Sequence, residues 1–323
     1  MKRTVTKLGL AATCLFVAAT LTQQAYAYGP GDEIPVGPGI EAVSDVSGEV
    51  SENVSMPEQN QPVNTGVATT HYNFYYEQLS ENEKNYYTTI LNAIKSGATE
   101  CDVGYDVPTE TLYKVLIALY NDNPEVVVPG RYQLYRSGYT GGPMMTTYYT
   151  GVTSDKVTEF NLCNTLANEM LADIYSTLGG DFSQQNIVKH IYDYLVLNVD
   201  YDGTVANNQD VRSVFFTHRS VCTGYSKTFQ YLCNLAGIDC TIVNGFADGG
   251  RGIETHEWNL VRYADGTYAY YDVTFGDVYE NRAVSYDYYG SPTLFATHKV
   301  QDNLIGEGGF QLGAPLLFQY PNV

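Results

Sequence analysis

Apolar side chains recur at helical spacing in the part of the chain that follows residue 80. Ser80 to Glu83 forms a capping box with acidic side chains at the positive end of a helix, and Gly97 ends that helix. Three further helices are predicted from apolar positions three and four residues apart: Leu112, Val115, Leu116 and Leu119; Phe160, Cys163, Ala167, Met170, Leu171 and Ile174; and Ile187, Ile191, Tyr194 and Leu195. The folded part of the chain is therefore expected to begin with helices.

Alternating apolar and polar residues predict strands at two places. Residues 131–152 alternate and turn at Gly141-Gly142-Pro143, which predicts a β-hairpin. After Tyr201 a single helix, from about Tyr225 to Leu235, precedes the strand segments CTIVNGF, EWNLVRY and TYAYYDVTF. Helices followed by antiparallel strands predict an α+β fold.

Two segments precede the helices. Residues 1–27 combine a basic start, an apolar run and the small-residue exit Ala25-Tyr26-Ala27, which predicts a secretory signal peptide cleaved after Ala27. Residues 28–70 are rich in Gly, Pro, Ser and acidic side chains, which predicts a disordered linker. We expect an exported, extracellular protein with an N-terminal helical region and hairpin at 71–150 and a second domain at 151–323.

The charge of the chain restricts its partners. The sequence has 17 basic and 36 acidic residues, and the signal peptide removes three basic ones, so the mature net charge is near −22. Such a surface repels nucleic acid and anionic membranes. No stretch after the signal peptide reaches the roughly 18 uninterrupted apolar residues of a membrane span. We therefore expect no nucleic-acid partner and no membrane span, while the oligomeric state stays open.

Five of the six cysteines lie outside the signal peptide, and an odd number leaves at least one free thiol. The spacing of Cys101, Cys163, Cys222, Cys233 and Cys240 gives no zinc-type array, so we expect neither a metal nor a cofactor. Cys222 stands just before the predicted helix, where the positive end of the helix dipole favours a thiolate. Cys233 and Cys240 are predicted core residues, and a disulfide between them stays open.

A base for Cys222 is predicted from the last hairpin. If Ala264 to Gly266 form a three-residue turn, Trp258 pairs with Asp272, and His256 then shares one sheet face with Asp272. A two-residue Asp-Gly turn would place the two side chains on opposite faces. Among the other histidines, His298 follows the strands and is a weaker candidate for lining a cleft.

Four motifs together resemble the transglutaminase-like superfamily of thiol enzymes, notably its bacterial secreted branch. They are VCTGYSK at 221–227, LAGIDCTIVNG at 235–245, HEWNLV at 256–261 and YYDVTFGD at 270–277. The resemblance implies that residues 151–323 form a papain-like catalytic domain, with the nucleophile at a helix N-terminus packed on an antiparallel sheet. It also implies that Cys222 is the nucleophile, His256 the base and Asp272 the residue that orients the base.

Other residues near these motifs receive weaker assignments. Tyr201 is a candidate second donor to the oxyanion, and Trp258 is a candidate cleft residue. Glu257 and the pair Phe275-Gly276 depart from the residues usual in the family. We expect these departures to alter the cleft without touching the three catalytic side chains.

The roles imply attack of the Cys222 thiolate on an amide carbonyl, formation of a thioester and transfer of the acyl group to water or to a lysine amine. We expect a cysteine protease or amidase, because water is abundant outside the cell and nothing marks a lysine-acceptor site. The expected substrate is a peptide or protein, cell-surface and cell-wall peptides included. A cross-linking protein-glutamine gamma-glutamyltransferase and a non-catalytic surface interaction protein stay open as alternatives.

Overall fold

The structure combines helices with mainly antiparallel sheets, which confirms the predicted α+β fold class. The computed structural model describes residues 39–42, 73–126, 131–138, 142–250, 252–278, 283–302, 304–305, 309–310 and 315–323. The predicted signal peptide and nearly all of the predicted linker lie outside the described residues. The division into two domains at residue 150 stays a prediction.

Seven α-helices lie in the described ranges: α1 (Glu81–Ser96), α2 (Thr109–Asp122), α3 (Ser154–Ser176), α4 (Gln184–Asn198), α5 (Val211–Thr217), α6 (Cys222–Leu235) and α7 (Val273–Gly276). The Ser80 hydroxyl accepts from the Glu83 N–H, the Glu83 carboxylate accepts from the Ser80 N–H, and Gly97 ends α1 at φ 75°, as predicted. Within the described ranges, no helix is both long enough and apolar enough for a bilayer crossing.

The start of α6 differs from the prediction. The helix begins at Cys222, three residues before Tyr225, so the cysteine lies within the first turn. Gly224 lies in this first turn, although glycine is a poor helix former. The structure gives this glycine a packing reason, since a Cβ there would lie 1.8 Å from the Ser220 hydroxyl oxygen.

The strands are β1 (Gly39–Ala42), β2 (Glu100–Tyr105), β3 (Arg131–Gly138), β4 (Met144–Tyr149), β5 (Asp200–Tyr201), β6 (Arg219–Ser220), β7 (Asp239–Asp248), β8 (Ile253–Arg262), β9 (Tyr268–Tyr271), β10 (Asp277–Val278), β11 (Ala283–Val284), β12 (His298–Val300), β13 (Leu304–Ile305) and β14 (Gly309–Phe310). One four-stranded sheet has the order β1-β3-β4-β2, and the central antiparallel sheet has the order β12-β7-β8-β9. Antiparallel pairing of β3 with β4 confirms the predicted hairpin.

Strand β1 departs from the prediction of a linker without secondary structure. Its four residues, Gly39–Ala42, pair in parallel with β3. The edge of a sheet presents unpaired N–H and C=O groups, and an extended segment is able to pair with them.

Apolar packing covers both faces of the central sheet. Trp258 and Leu260 of β8 point into a core shared with α1 and α2. Val261, the next residue of that strand, points into a second core, which α3, α4 and α6 share. The region 73–122 therefore packs directly on the sheet that carries the predicted base, and Tyr75 adds a hydrogen bond of 2.6 Å to the Ile242 carbonyl.

The predicted turn between β8 and β9 is confirmed. Asn259 pairs with Tyr271 and Arg262 with Tyr268, and the Tyr263 N–H donates to the Thr267 carbonyl at 2.9 Å. Ala264, Asp265 and Gly266 form the three-residue loop, with Gly266 at φ 84°.

We predict that Gly266→Ala lowers the free energy of unfolding by about 1–2 kcal/mol, because an L-residue pays that cost in the left-handed region. A Cβ at Gly266 meets no atom within 4 Å, so the effect reports backbone strain alone. Urea unfolding measures the change. Gly203→Ala is the matched control, since its Cβ meets no atom closer than 3.9 Å and φ is not in the left-handed region. An equal loss in both variants would contradict the explanation.

Candidate functional site

Cys222 occupies the N-terminal turn of α6 and is half-buried. The preceding residue, Val221, provides no side-chain cap, so first-turn N–H groups face the thiol region without a capping side chain. These N–H groups and the helix dipole favour a negative charge at this position, on the sulfur or on an oxyanion bound beside it.

His256 and Asp272 meet as the turn register predicts. His256 lies on β8, and its Nε2 is 2.7 Å from Oδ2 of Asp272, the residue that caps the N-terminus of α7. Because Nε2 faces the carboxylate, Nδ1 is the nitrogen left for the thiol, and Cys222 lies close enough to this imidazole to raise its pKa. The structure thus brings together all three side chains predicted for the site.

The electrostatics of the pair favour an ionised carboxylate and a protonated imidazole. Burial raises the pKa of Asp272, but the His256 and His298 side chains outweigh it and hold that pKa well below its usual range. Burial lowers the pKa of His256, but the charge and hydrogen bond of Asp272, followed by Cys222, raise it to about 10. A proton leaving the thiol is therefore stable on His256.

His298 also belongs to the site. Its Nε2 lies 3.0 Å from the same Asp272 oxygen that His256 contacts. The sequence signal for this residue is weak, because β12 is three residues long and too short to show a hydrophobic period. Its position depends on the pairing of His298 with Ala247 of β7, which sequence spacing does not reveal.

Phe275 contacts two of the three side chains, so the expectation that it leaves them untouched is wrong. Its ring stacks on His256 with centroids 4.5 Å apart and planes inclined by 23°. Its backbone N–H donates to Oδ1 of Asp272 at 3.0 Å. The contact arises because Asp272 starts the short helix α7, whose first turn folds Phe275 back over the histidine.

Trp258 and Glu257 are both buried away from an open cleft. Trp258 is fully buried and packs edge-on against His298 at 4.8 Å, so it supports the histidines from below instead of lining a cleft. Glu257 points toward α6, where burial raises its pKa and the charge of Lys227 opposes that shift. The departure from the family at Glu257 therefore affects how α6 is held.

Tyr201 lies beside the nucleophile. Burial of its hydroxyl and the nearby charge of Cys222 raise its pKa, although nearly half of the residue is exposed. Its ring stacks on Tyr225 of α6 with centroids 6.5 Å apart. A protonated phenol at this place is suited to donate to an oxyanion, as the sequence suggested.

Two imidazole nitrogens and a carboxylate oxygen, from His256, Asp272 and His298, lie within 4.8 Å of one another. Zinc binds such a set, although the sequence spacing predicts no metal. Each of the three atoms already takes part in a hydrogen bond, which gives the cluster a function without an ion.

The remaining cysteines are unlike Cys222. All five in the described ranges are free thiols, so no disulfide joins Cys233 to Cys240. Burial raises the pKa of Cys101 to about 11 and of Cys163 to about 12, with nearby acidic charge adding to both shifts, and burial also raises that of Cys240. Cys233 is fully buried, as predicted for a core residue.

Fold and site together define a protein with a cysteine at a helix N-terminus, facing a histidine–carboxylate pair on an antiparallel sheet. Residues 172–273 match the family profile described as the transglutaminase-like superfamily, which confirms the predicted resemblance. The part of the chain that is similar to this superfamily contains Cys222, His256 and Asp272.

Kyphoscoliosis peptidase of Mus musculus is 24% identical over 166 residues, covering 46% of this chain and 24% of that protein. The chain thus spans about a quarter of the length of this curated relative. A crystal structure of a TGase shares 18% identity over 45% of this chain and 44% of its own, with a TM-score of 0.32. The crystal structure of the periplasmic domain of TgpA from Pseudomonas aeruginosa, bound to ethylmercury, has 15% sequence identity. The match covers 43% of this chain and 58% of that domain, with a TM-score of 0.28.

We predict that limiting iodoacetamide alkylates Cys222 before Cys101, Cys163, Cys233 and Cys240. The half-buried Cys222 sulfur pairs with His256, whereas the other thiols are buried or held protonated. Peptide mapping of the mature protein after short exposure at neutral pH measures the order. Cys222→Ala is the control and should lose the fast label. Earlier labelling of Cys101 or Cys163 would remove the basis for choosing Cys222 as nucleophile.

Proposed function

We propose that the chain is an exported thiol enzyme that hydrolyses amide bonds of peptides or proteins. The observation that carries the proposal is the 2.7 Å contact of His256 Nε2 with Asp272, which leaves the other imidazole nitrogen facing Cys222. A thiol, a base and a group that orients the base are the three parts that thiol acyl-transfer enzymes need.

In the first half of the reaction, His256 takes the proton of Cys222 and the thiolate attacks the amide carbonyl. Asp272 stabilises the imidazolium that forms, and the Phe275 ring stacks on the His256 ring and holds it in place. The N-terminal N–H groups of α6 stabilise the oxyanion, with the Tyr201 hydroxyl as the second donor. His256 then returns the proton to the leaving amine or ammonia, which leaves a thioester on Cys222.

In the second half, His256 deprotonates the acceptor that attacks the thioester. The carbon–sulfur bond then breaks, and the proton on His256 is shared again with the released Cys222 sulfur. We propose water as that acceptor, because it is abundant outside the cell. The name of the mouse relative, kyphoscoliosis peptidase, supports cleavage of peptide bonds. A lysine amine on a protein would give a cross-link by the same chemistry, which keeps the glutamyltransferase activity as the second candidate.

The decisive experiment incubates the mature protein with a glutamine-bearing protein and a labelled primary amine, then measures cleavage and amine incorporation together. We expect Cys222-dependent cleavage or ammonia release with little incorporation. Cys222→Ala and Asp272→Asn are the controls, and a chelator is present in every arm. Cysteine-dependent incorporation without cleavage would replace hydrolysis by cross-linking. If neither cleavage nor amine incorporation depends on Cys222, a non-catalytic interaction protein is favoured.

Export is also a proposal, and it rests on the first 27 residues. Expression of the full chain in a bacterium with a general secretion pathway should give a product outside the cytoplasm that begins at Tyr28. Intact-mass measurement and N-terminal sequencing test the cleavage. Deletion of residues 8–21 is the control and should keep the protein in the cytoplasm. Cell-surface and cell-wall peptides are the proposed substrates for an enzyme released there.

A further inference from the structure

We propose that His298 is a positioning residue that fixes the Asp272 carboxylate through a second imidazole hydrogen bond, so that the site works as four side chains. The inference deepens the proposed function and rests on it for its kinetic consequences. Its structural basis is the pair of contacts, 2.7 Å and 3.0 Å, that one Asp272 oxygen makes with two histidine nitrogens.

The hydrogen bonds assign the tautomer of His298. An ionised carboxylate only accepts, so both Nε2 atoms that contact Asp272 must carry hydrogen. The other nitrogen of His298, Nδ1, lies 2.9 Å from the Thr297 hydroxyl, which has a hydrogen to donate. The neutral ring protonated on Nε2 thus satisfies both of its nitrogens.

The second imidazole restricts both the rotation and the protonation of the Asp272 carboxylate. Oδ1 accepts from the Phe275 N–H at 3.0 Å, and Oδ2 accepts from both histidines. With donors on both oxygens, the carboxylate has no freedom to turn Oδ2 away from His256. The donors also oppose protonation of a side chain that is fully buried.

The surroundings of His298 hold the ring still. Four aromatic rings enclose it, with centroid distances of 4.8 Å for Trp258, 5.1 Å for Phe295, 5.4 Å for Phe275 and 5.7 Å for Tyr288. The Asp248 N–H donates to the Thr297 carbonyl at 3.0 Å, and this bond fixes β12 against β7. An apolar side chain would pack equally well among these rings. The hydrogen bonds of His298 therefore explain why an imidazole occupies this position.

The test compares His298→Gln with His298→Asn in a chelator-containing buffer. A glutamine amide nitrogen reaches the place of the histidine Nε2, whereas the asparagine nitrogen reaches only the place of Nδ1. We expect His298→Asn to lower kcat about 10- to 100-fold with little change in KM, and His298→Gln to restore most of that loss. The acid limb of the pH–rate profile should move to higher pH in His298→Asn, because Asp272 then protonates more readily.

Four titratable groups interact with Asp272: Tyr192 of α4, Tyr201 of β5, His256 of β8 and His298 of β12, while Cys222 of α6 interacts with His256. None but His298 changes between the variants, so a difference in the profile is assigned to it. Thr297→Val provides a milder change, because Thr297 is exposed and its loss only frees Nδ1. It should lower kcat in the same direction by a smaller factor.

Alkylation of Cys222 by iodoacetamide gives a readout that needs no substrate. We expect slower alkylation at neutral pH in His298→Asn than in the parent and His298→Gln proteins. That result without any amide hydrolysis would support the positioning role while the proposed function fails. Equal kcat, pH profile and alkylation rate in both variants and the parent would overturn the role of His298, and so would equal losses in both variants. If His298→Asn does not fold, as judged by thermal unfolding, a parent-like Thr297→Val would overturn it.

Discussion

A buried negative charge on Asp272 is the constraint on which the site depends. The side chain has no exposed surface, and an uncompensated carboxylate in that position would cost several kcal/mol. Compensation comes from His256, His298 and the N–H of Phe275, which belong to β8, β12 and α7. The same three donors that make the burial tolerable also fix the direction of the base, so stability and chemistry are met by one set of hydrogen bonds.

The nucleophile is held to this carboxylate through α6 and its contacts with β8. Ser226 donates to the Glu257 carbonyl at 2.9 Å, and the Asn259 side chain donates to the Ser226 carbonyl at 2.9 Å. These bonds involve Glu257 and Asn259, the first and third residues after His256 on β8. The distance between sulfur and imidazole is therefore set by backbone that is packed and hydrogen-bonded, which suits a proton transfer that needs a fixed geometry.

Sequence reasoning reached Cys222, His256 and Asp272 because each depends on local rules. A helix start places the thiol, and the three-residue turn with Gly266 at positive φ decides which side chains share a face of β8 and β9. His298 and Phe275 depend on other information. The pairing of β12 with β7 places His298, and the four-residue helix α7 places Phe275. Neither element is long enough to show a hydrophobic period in the sequence.

The family profile covers 172–273, yet the support of the site extends outside it. Gln230 of α6 donates to the Asn121 carbonyl at 2.6 Å, and the Lys227 ammonium lies 3.5 Å above the Tyr120 ring. Burial lowers the pKa of Lys227 to about 8, against the opposing charge of Glu257, so this cation has given up water to face α2. Without α1 and α2, the sheet face that carries Trp258 would meet solvent, and the floor beneath both histidines would lose its packing. The N-terminal helices are thus part of the structure that keeps His256 and His298 on one carboxylate.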